Sequence, residues 1–140
     1  MMEEERSIAA SASRLWAVLS DIESWDAMLP TMRQVVRIGA GGPVGVGARF
    51  EVRQPGLPKA VYEITDWRPE RGFTWVSSSP GVRTTASHEL SSHDGGTRLV
   101  LGIEWSGPLA GLIRLLIGPK ARRMVAQEAD TFVRLAERDG

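Results

Sequence analysis

Cysteine is absent from this 140-residue chain. That removes a disulfide framework and any thiolate metal site. Histidine is scarce, with only His88 and His93, too few for a histidine-rich metal centre, so neither a metal nor another cofactor is expected. A basic excess is missing too. Lys+Arg and Asp+Glu both number 17, which argues against a dedicated nucleic-acid binder. No run approaches the roughly 18 apolar residues of a transmembrane helix. The start MMEEERS is acidic and has no apolar stretch of the kind a signal peptide needs. Together these absences predict one soluble, cytoplasmic domain over residues 1–140, long enough to bury a sizeable core. Nothing in the pattern fixes an oligomeric state. Tryptophan, by contrast, is plentiful: five Trp stand beside three Phe and one Tyr, and their bodies need burial and their N–H groups need partners.

The last third holds the only long helical pattern. Ala121, Met124, Val125, Ala129, Phe132 and Ala136 recur as one stripe of a 3.6-residue helix, with Lys120, Arg122, Arg123, Gln127, Asp130 and Arg134 mostly opposite. Upstream, Leu109, Leu112, Ile113 and Leu116 form a second stripe, offset from the first. Gly118-Pro119 separates them, and proline removes a donor and clashes with the preceding turn. The expectation is two helical pieces, Pro108 to Ile117 and Pro119 to Arg138.

The rest alternates. Glu5 to Ala10 reads as a short strand around Ile8. Ser11 caps a helix to about Leu19. Ser20 and Glu23 have capping-box spacing for a second short helix carrying Trp25 and ending before Pro30. Period-two strands follow over Met32 to Ile38, Ala48 to Gln54, Ala60 to Trp67, Phe73 to Ser78, Val82 to Ser91 and Thr97 to Trp105. The run GAGGPVGVGA reads as a turn, because it lacks the Gly-Lys-Ser/Thr ending of a phosphate loop. His93-Asp94-Gly95-Gly96 is a tight hairpin signal. Short turns between successive strands favour an antiparallel meander with one apolar face, and only the terminal helix is long enough to cover it. A curved sheet around a helix leaves space for a ligand.

Four stretches carry a resemblance: IAASASRLWAVLSDIESW, GPVGVGARF, ITDWRPERGFTWVSSSPG and HELSSHDGGTRLVLGIEWSGPLAGLIRLL. In order and spacing the chain resembles the SRPBCC superfamily of polyketide cyclases/dehydrases, START-like lipid-transfer proteins and pollen-allergen-like binding proteins. The resemblance implies an α+β helix-grip fold: a seven-stranded curved antiparallel sheet wrapped around a long C-terminal helix, with two short helices after the first strand. It also implies a hydrophobic cavity that takes lipids, polyketides or similar molecules, and it places glycine-rich loops such as GAGGPVGVGA at the cavity mouth.

The inward members of each alternation are the expected lining: Phe50, Tyr62, Ile64, Trp75, His88, Leu101 and Ile103 from strands, Met124 and Glu128 from the helix. Trp16 and Trp25 are expected to wedge the short helices against the sheet. Phe50, Tyr62, Phe73, Trp75 and Trp105 explain themselves as core packing. His88, between Ala86 and Leu90, is either a satisfied core histidine or a polar contact, and it is the one acid–base candidate. Glu128 falls inside the apolar arc, where a carboxylate is costly unless paired or solvated. Three functions follow as expectations. The first is a binding protein whose partner is an apolar or amphipathic small molecule. The second is a cyclase or dehydratase using His88. The third is an accessory protein docking on an enzyme subunit or, through Leu109 to Arg123, on the surface of a membrane.

Overall fold

The period-two segments pair into a single antiparallel sheet. The computed structural model describes residues 2–39 and 41–138; Ala40 of the glycine-rich turn lies outside them. The strands are β1 (Met2–Ile8), β2 (Gln34–Ile38), β3 (Arg49–Arg53), β4 (Ala60–Arg68), β5 (Gly72–Ser79), β6 (Val82–His93) and β7 (Gly96–Ser106). They form a seven-stranded sheet in the order β1-β7-β6-β5-β4-β3-β2, so the chain meanders from β2 to β7 and β1 closes the far edge. The β6–β7 hairpin turns on Asp94 and Gly95, with φ of 47° and 82°, the double positive φ that this tight turn demands. β1 begins at Met2, earlier than Glu5, because Met2 pairs with Ile103. Only Ile8 of that strand is buried, so there is no apolar alternation from which its start could be read.

Helix α1 (Ala12–Leu19) is capped as expected, the Arg14 amide donating to Ser11 Oγ at 3.1 Å. The Ser20–Glu23 capping box does not form. Ser20 sits at φ −78°, ψ −12° as the C-cap of α1, whereas an N-cap needs extended backbone. A 3-10 turn at Ile22–Ser24 leads instead into α2 (Trp25–Met28).

The expected break at Gly118-Pro119 is corrected by the structure: α3 is one helix, Ala110–Arg138, with Pro119 inside it. Pro119 forfeits the bond to the Leu115 carbonyl, one turn back. Leu115 is 76% exposed, so that carbonyl lies on the water side, where its loss is least costly. The offset between the two apolar stripes has a different cause. Leu112 and Leu116 are 51% and 67% exposed, and the inward residues of this half are Ala110, Ile113, Ile117, Gly118 and Ala121. The leucine stripe belongs to the outer face of the same helix.

Two apolar clusters hold the layers together. The larger joins Leu15, Leu19, Trp25, Phe50, Ile64, Phe73 and Leu99 to Ala129, Phe132 and Ala136 of α3. The smaller gathers Trp105, Ala110 and Ala121, with Val82, Ile103, Ile113 and Ile117 packed on it. Arg6 Nε–Asp130 at 2.8 Å and the Ala9 amide donating to Glu137 at 2.7 Å tie α3 to the β1 edge.

One irregularity breaks the alternation of β4. Ile64 pairs with Trp75 and Asp66 with Thr74, leaving Thr65 as an extra residue, a β-bulge. Beyond it Trp67, which strict alternation would turn outward with Thr65, comes inward opposite Phe73.

Candidate functional site

Between the two clusters lies a cavity of about 370 Å3, walled by the inner face of the sheet and by α3. Seven of the residues expected to line it do so: Tyr62, Trp75, His88, Leu101, Ile103, Met124 and Glu128. Phe50 and Ile64 do not; both are fully buried in the larger cluster beneath it. Their strand alternation is as expected, but inward-facing residues fill the core first and reach the cavity only where α3 stands away from the sheet. Trp25, Met32, Val52, Ser77, Thr84, Ala86, Trp105, Ile113, Ile117, Ala121 and Val125 also line it. Of these, Val52, Ser77, Ala86, Trp105, Ala121 and Val125 lie on the inward side of their period-two and 3.6 patterns, which do not separate cavity from core. Gln54, Leu57, Pro58, Lys59 and Ala60 join Ser79 and Pro80 in the lining, which no alternation could reveal because they are loops or strand ends. The glycine-rich turn is elsewhere; none of its described residues contributes to this wall.

Trp25 does more than wedge a short helix. Its ring lies 5.3 Å from Trp75, 5.6 Å from His88 and 5.6 Å from Phe132, and its indole N–H donates to the Leu19 carbonyl at 3.1 Å. Trp16 packs edge-on against Trp67 at 4.9 Å. Tyr62, which lines the cavity, stacks on Trp75 with centroids 4.8 Å apart, so its ring is fixed.

His88 is satisfied by its surroundings. Its ring is buried and stacked on Phe73, centroids 4.1 Å apart, and Nδ1 lies 3.2 Å from the Phe73 carbonyl. That pairing fits the neutral tautomer with the proton on Nδ1. Burial lowers its pKa from 6.5 to about 4, against a smaller opposing effect of the Phe73 carbonyl. At neutral pH the ring is thus held neutral with Nδ1 engaged by the Phe73 carbonyl, a setting that does not favour the acid–base role expected of His88.

Glu128 behaves in the opposite way. Protein surrounds its carboxyl except where it faces the cavity, and burial raises its pKa from 4.5 to about 8. The neighbouring Thr31 hydroxyl lowers it by less. That hydroxyl is itself buried without a partner in good hydrogen-bond geometry, so its contact with Glu128 is electrostatic rather than a formed bond. Tyr62 is raised from 10 to about 12, by burial first and then by the charge of Glu128. At neutral pH, with the Lys59 ammonium at the rim, the inner wall thus contains a protonated carboxyl, a phenol and a neutral imidazole. All three are uncharged, and two of them can donate to a ligand oxygen.

Among the described residues, no cluster of His, Asp and Glu is arranged to hold a metal. Among them, too, no helix is long and apolar enough to cross a membrane.

A curved sheet gripping a terminal helix over a largely apolar cavity defines a helix-grip domain of the SRPBCC class. The sequence matches the family described as polyketide cyclase/dehydrase and lipid transport over residues 1–137, and the chain belongs to that family. Solved structures share the fold at low identity. The Zhui aromatase/cyclase from Streptomyces sp. R1128 is 21% identical, with 98% of this chain and 93% of that one covered and a TM-score of 0.72. Protein TTHA0849 from Thermus thermophilus is 18% identical, with 99% and 98% covered and a TM-score of 0.78. The hypothetical protein jhp0584 from Helicobacter pylori is 12% identical, with 96% and 86% covered and a TM-score of 0.80. No curated protein matches the chain.

Proposed function

We propose that the protein binds a neutral, largely apolar small molecule, a lipid, polyketide or similar compound, in the cavity between sheet and α3. The observation that carries this reading is the cavity of about 370 Å3, walled mainly by aromatic and aliphatic side chains, with Lys59 exposed at its rim. A space of that size lined by Trp25, Trp75, Trp105, Leu101 and Met124 suits an apolar body, and Met124 adapts to different shapes. Tyr62 and Glu128 supply hydrogen-bond donors for one oxygen function, so a ketone, ester or phenol fits better than a hydrocarbon or an anion.

A fluorescent ketone probe should bind with blue-shifted emission and quench the cavity tryptophans. A hydrocarbon of the same shape should bind more weakly, by about fivefold to tenfold for a lost hydrogen bond. Tyr62→Phe should narrow that gap. Failure of both probes to bind would end the cavity-ligand reading; equal binding would end only the assignment of Tyr62 and Glu128.

A second reading, catalysis of a cyclisation or dehydration, is favoured by one observation. Glu128, with a pKa of about 8, is poised to give and take a proton near neutrality. If that reading holds, Glu128→Gln abolishes turnover of a poly-β-ketone substrate while leaving its binding intact; unchanged turnover excludes it.

A further inference from the structure

The outer face of the first half of α3 has no role in that cavity. Leu112, Leu115 and Leu116 are 51%, 76% and 67% exposed. Ile113 and Ile117, on the other side of the same turns, border the cavity. This segment is therefore apolar on both its inner and its outer face, interrupted by Arg114, which in a monomer leaves the outer face without a partner. Its charges are one-sided. From Trp105 to Gln127 the chain has Arg114, Lys120, Arg122 and Arg123 and no Asp or Glu. At about 100° per residue, Lys120, Arg122 and Arg123 fall on or at the edges of the arc that carries the three leucines.

We propose that this face docks on an anionic lipid surface, the leucines entering the interface and the cations meeting the phosphates. The charge pattern selects this occupant. A second copy of the chain would bring the same cations face to face with nothing acidic on the patch to answer them, whereas an anionic bilayer answers both the apolar and the basic half. The position adds a consequence. Leu109 is 45% exposed, and its amide donates to the Gly81 carbonyl at 2.8 Å, pinning the start of the patch to the cavity rim. Docking would thus bring the cavity mouth to the lipid surface. The proposal rests on exposure and charge, and it stands whether or not the cavity holds the kind of ligand described above.

The test is co-sedimentation of the full chain with vesicles of phosphatidylcholine alone and of phosphatidylcholine mixed with phosphatidylglycerol, at low and high salt. The mixed vesicles should bind it, phosphatidylcholine alone much more weakly, and salt should weaken the difference. The pair Leu115→Glu with Leu116→Glu should lower affinity at least about a hundredfold, near tenfold for each lost leucine. Arg122→Gln and Arg123→Gln should each cost about fivefold on the mixed vesicles. All four positions are exposed, so the thermal melt should be unchanged and a loss of binding cannot be blamed on unfolding. Absence of binding to either vesicle overturns the proposal, as does equal, salt-independent binding to both. Sedimentation equilibrium is the remaining arm: a wild-type dimer that Leu115→Glu with Leu116→Glu dissolves, without vesicle binding, would assign the face to a second copy instead.

Discussion

Replacing Glu128 by glutamine should change how stability depends on pH, in a window set by two groups of opposite sign. Glu128 has a folded pKa of about 8 against 4.5. Between those values the unfolded chain has lost the proton and the folded chain keeps it, so stability falls as pH rises. His88 has a folded pKa of about 4 against 6.5. Between those values the unfolded chain binds a proton that the folded chain refuses, so stability rises with pH. From pH 4.5 to 6.5 the two slopes nearly cancel. From 6.5 to 8 only Glu128 acts, and at about 1.4 kcal/mol per pH unit over about 1.5 units the wild type should lose about 2 kcal/mol. Tyr62, with its pKa raised to about 12, stays protonated throughout. Glu128→Gln cannot ionise, so its stability should rise to pH 6.5 and then stay level. Urea unfolding followed by tryptophan fluorescence between pH 4.5 and 8.5 measures this directly. Parallel curves for wild type and variant between pH 6.5 and 8 would refute the assignment of a protonated, buried Glu128.

The same urea titration on His88→Phe should reveal the complementary slope: with the imidazole gone, stability falls continuously from pH 4.5 to 8, and a wild-type plateau would show that His88 is not held neutral. Phe132→Ala should cost about 3–5 kcal/mol at neutral pH, because this 1%-exposed ring sits against Trp25; a loss well under 1 kcal/mol would mean that the sheet does not grip α3 there. Pro119→Ala should raise the thermal midpoint, since α3 already runs through this position and alanine restores a donor at up to about 3 kcal/mol of helix propensity; a lowered midpoint would mean that a proline-induced bend is needed for packing.

The strands were legible because each inward residue recurs at period two and the turns between them carry Gly, Pro or Asp chemistry; β2 to β7 are where the alternations place them. The long helix was legible as a stripe, but its first half was expected to be a separate piece. Leu109, Leu112 and Leu116 look like a core stripe by hydropathy, whereas the buried residues of this half, Ala110, Gly118 and Ala121, are small, and a Cβ on Gly118 would stand 3.1 Å from the Met2 side chain. Hydropathy alone cannot tell an inner apolar face from an outer one when both are apolar. The glutamate at 128 was legible as a misfit in its stripe, and misfits of this kind mark cavities better than the apolar pattern does. Phe50 and Ile64 show the limit: period two gives the face, while the distance between layers decides which inward residues meet empty space. Trp25 was assigned to the short helix it belongs to, and its reach into the cavity depends on tertiary placement that no local pattern records.

The extra residue at Thr65 gives β4 two different jobs along its length. Before the bulge, Ala60 and Tyr62 face open space; after it, Trp67 is swung inward against Trp16 and Phe73. A strand without the insertion would present Asp66 opposite Phe73 instead. One inserted residue therefore bends the strand, as bulges do, and adds an indole to the packed core beside the cavity, not to its wall. The same strand serves as cavity wall along one half and as core along the other, and backbone register, not the choice of side chains, divides the two.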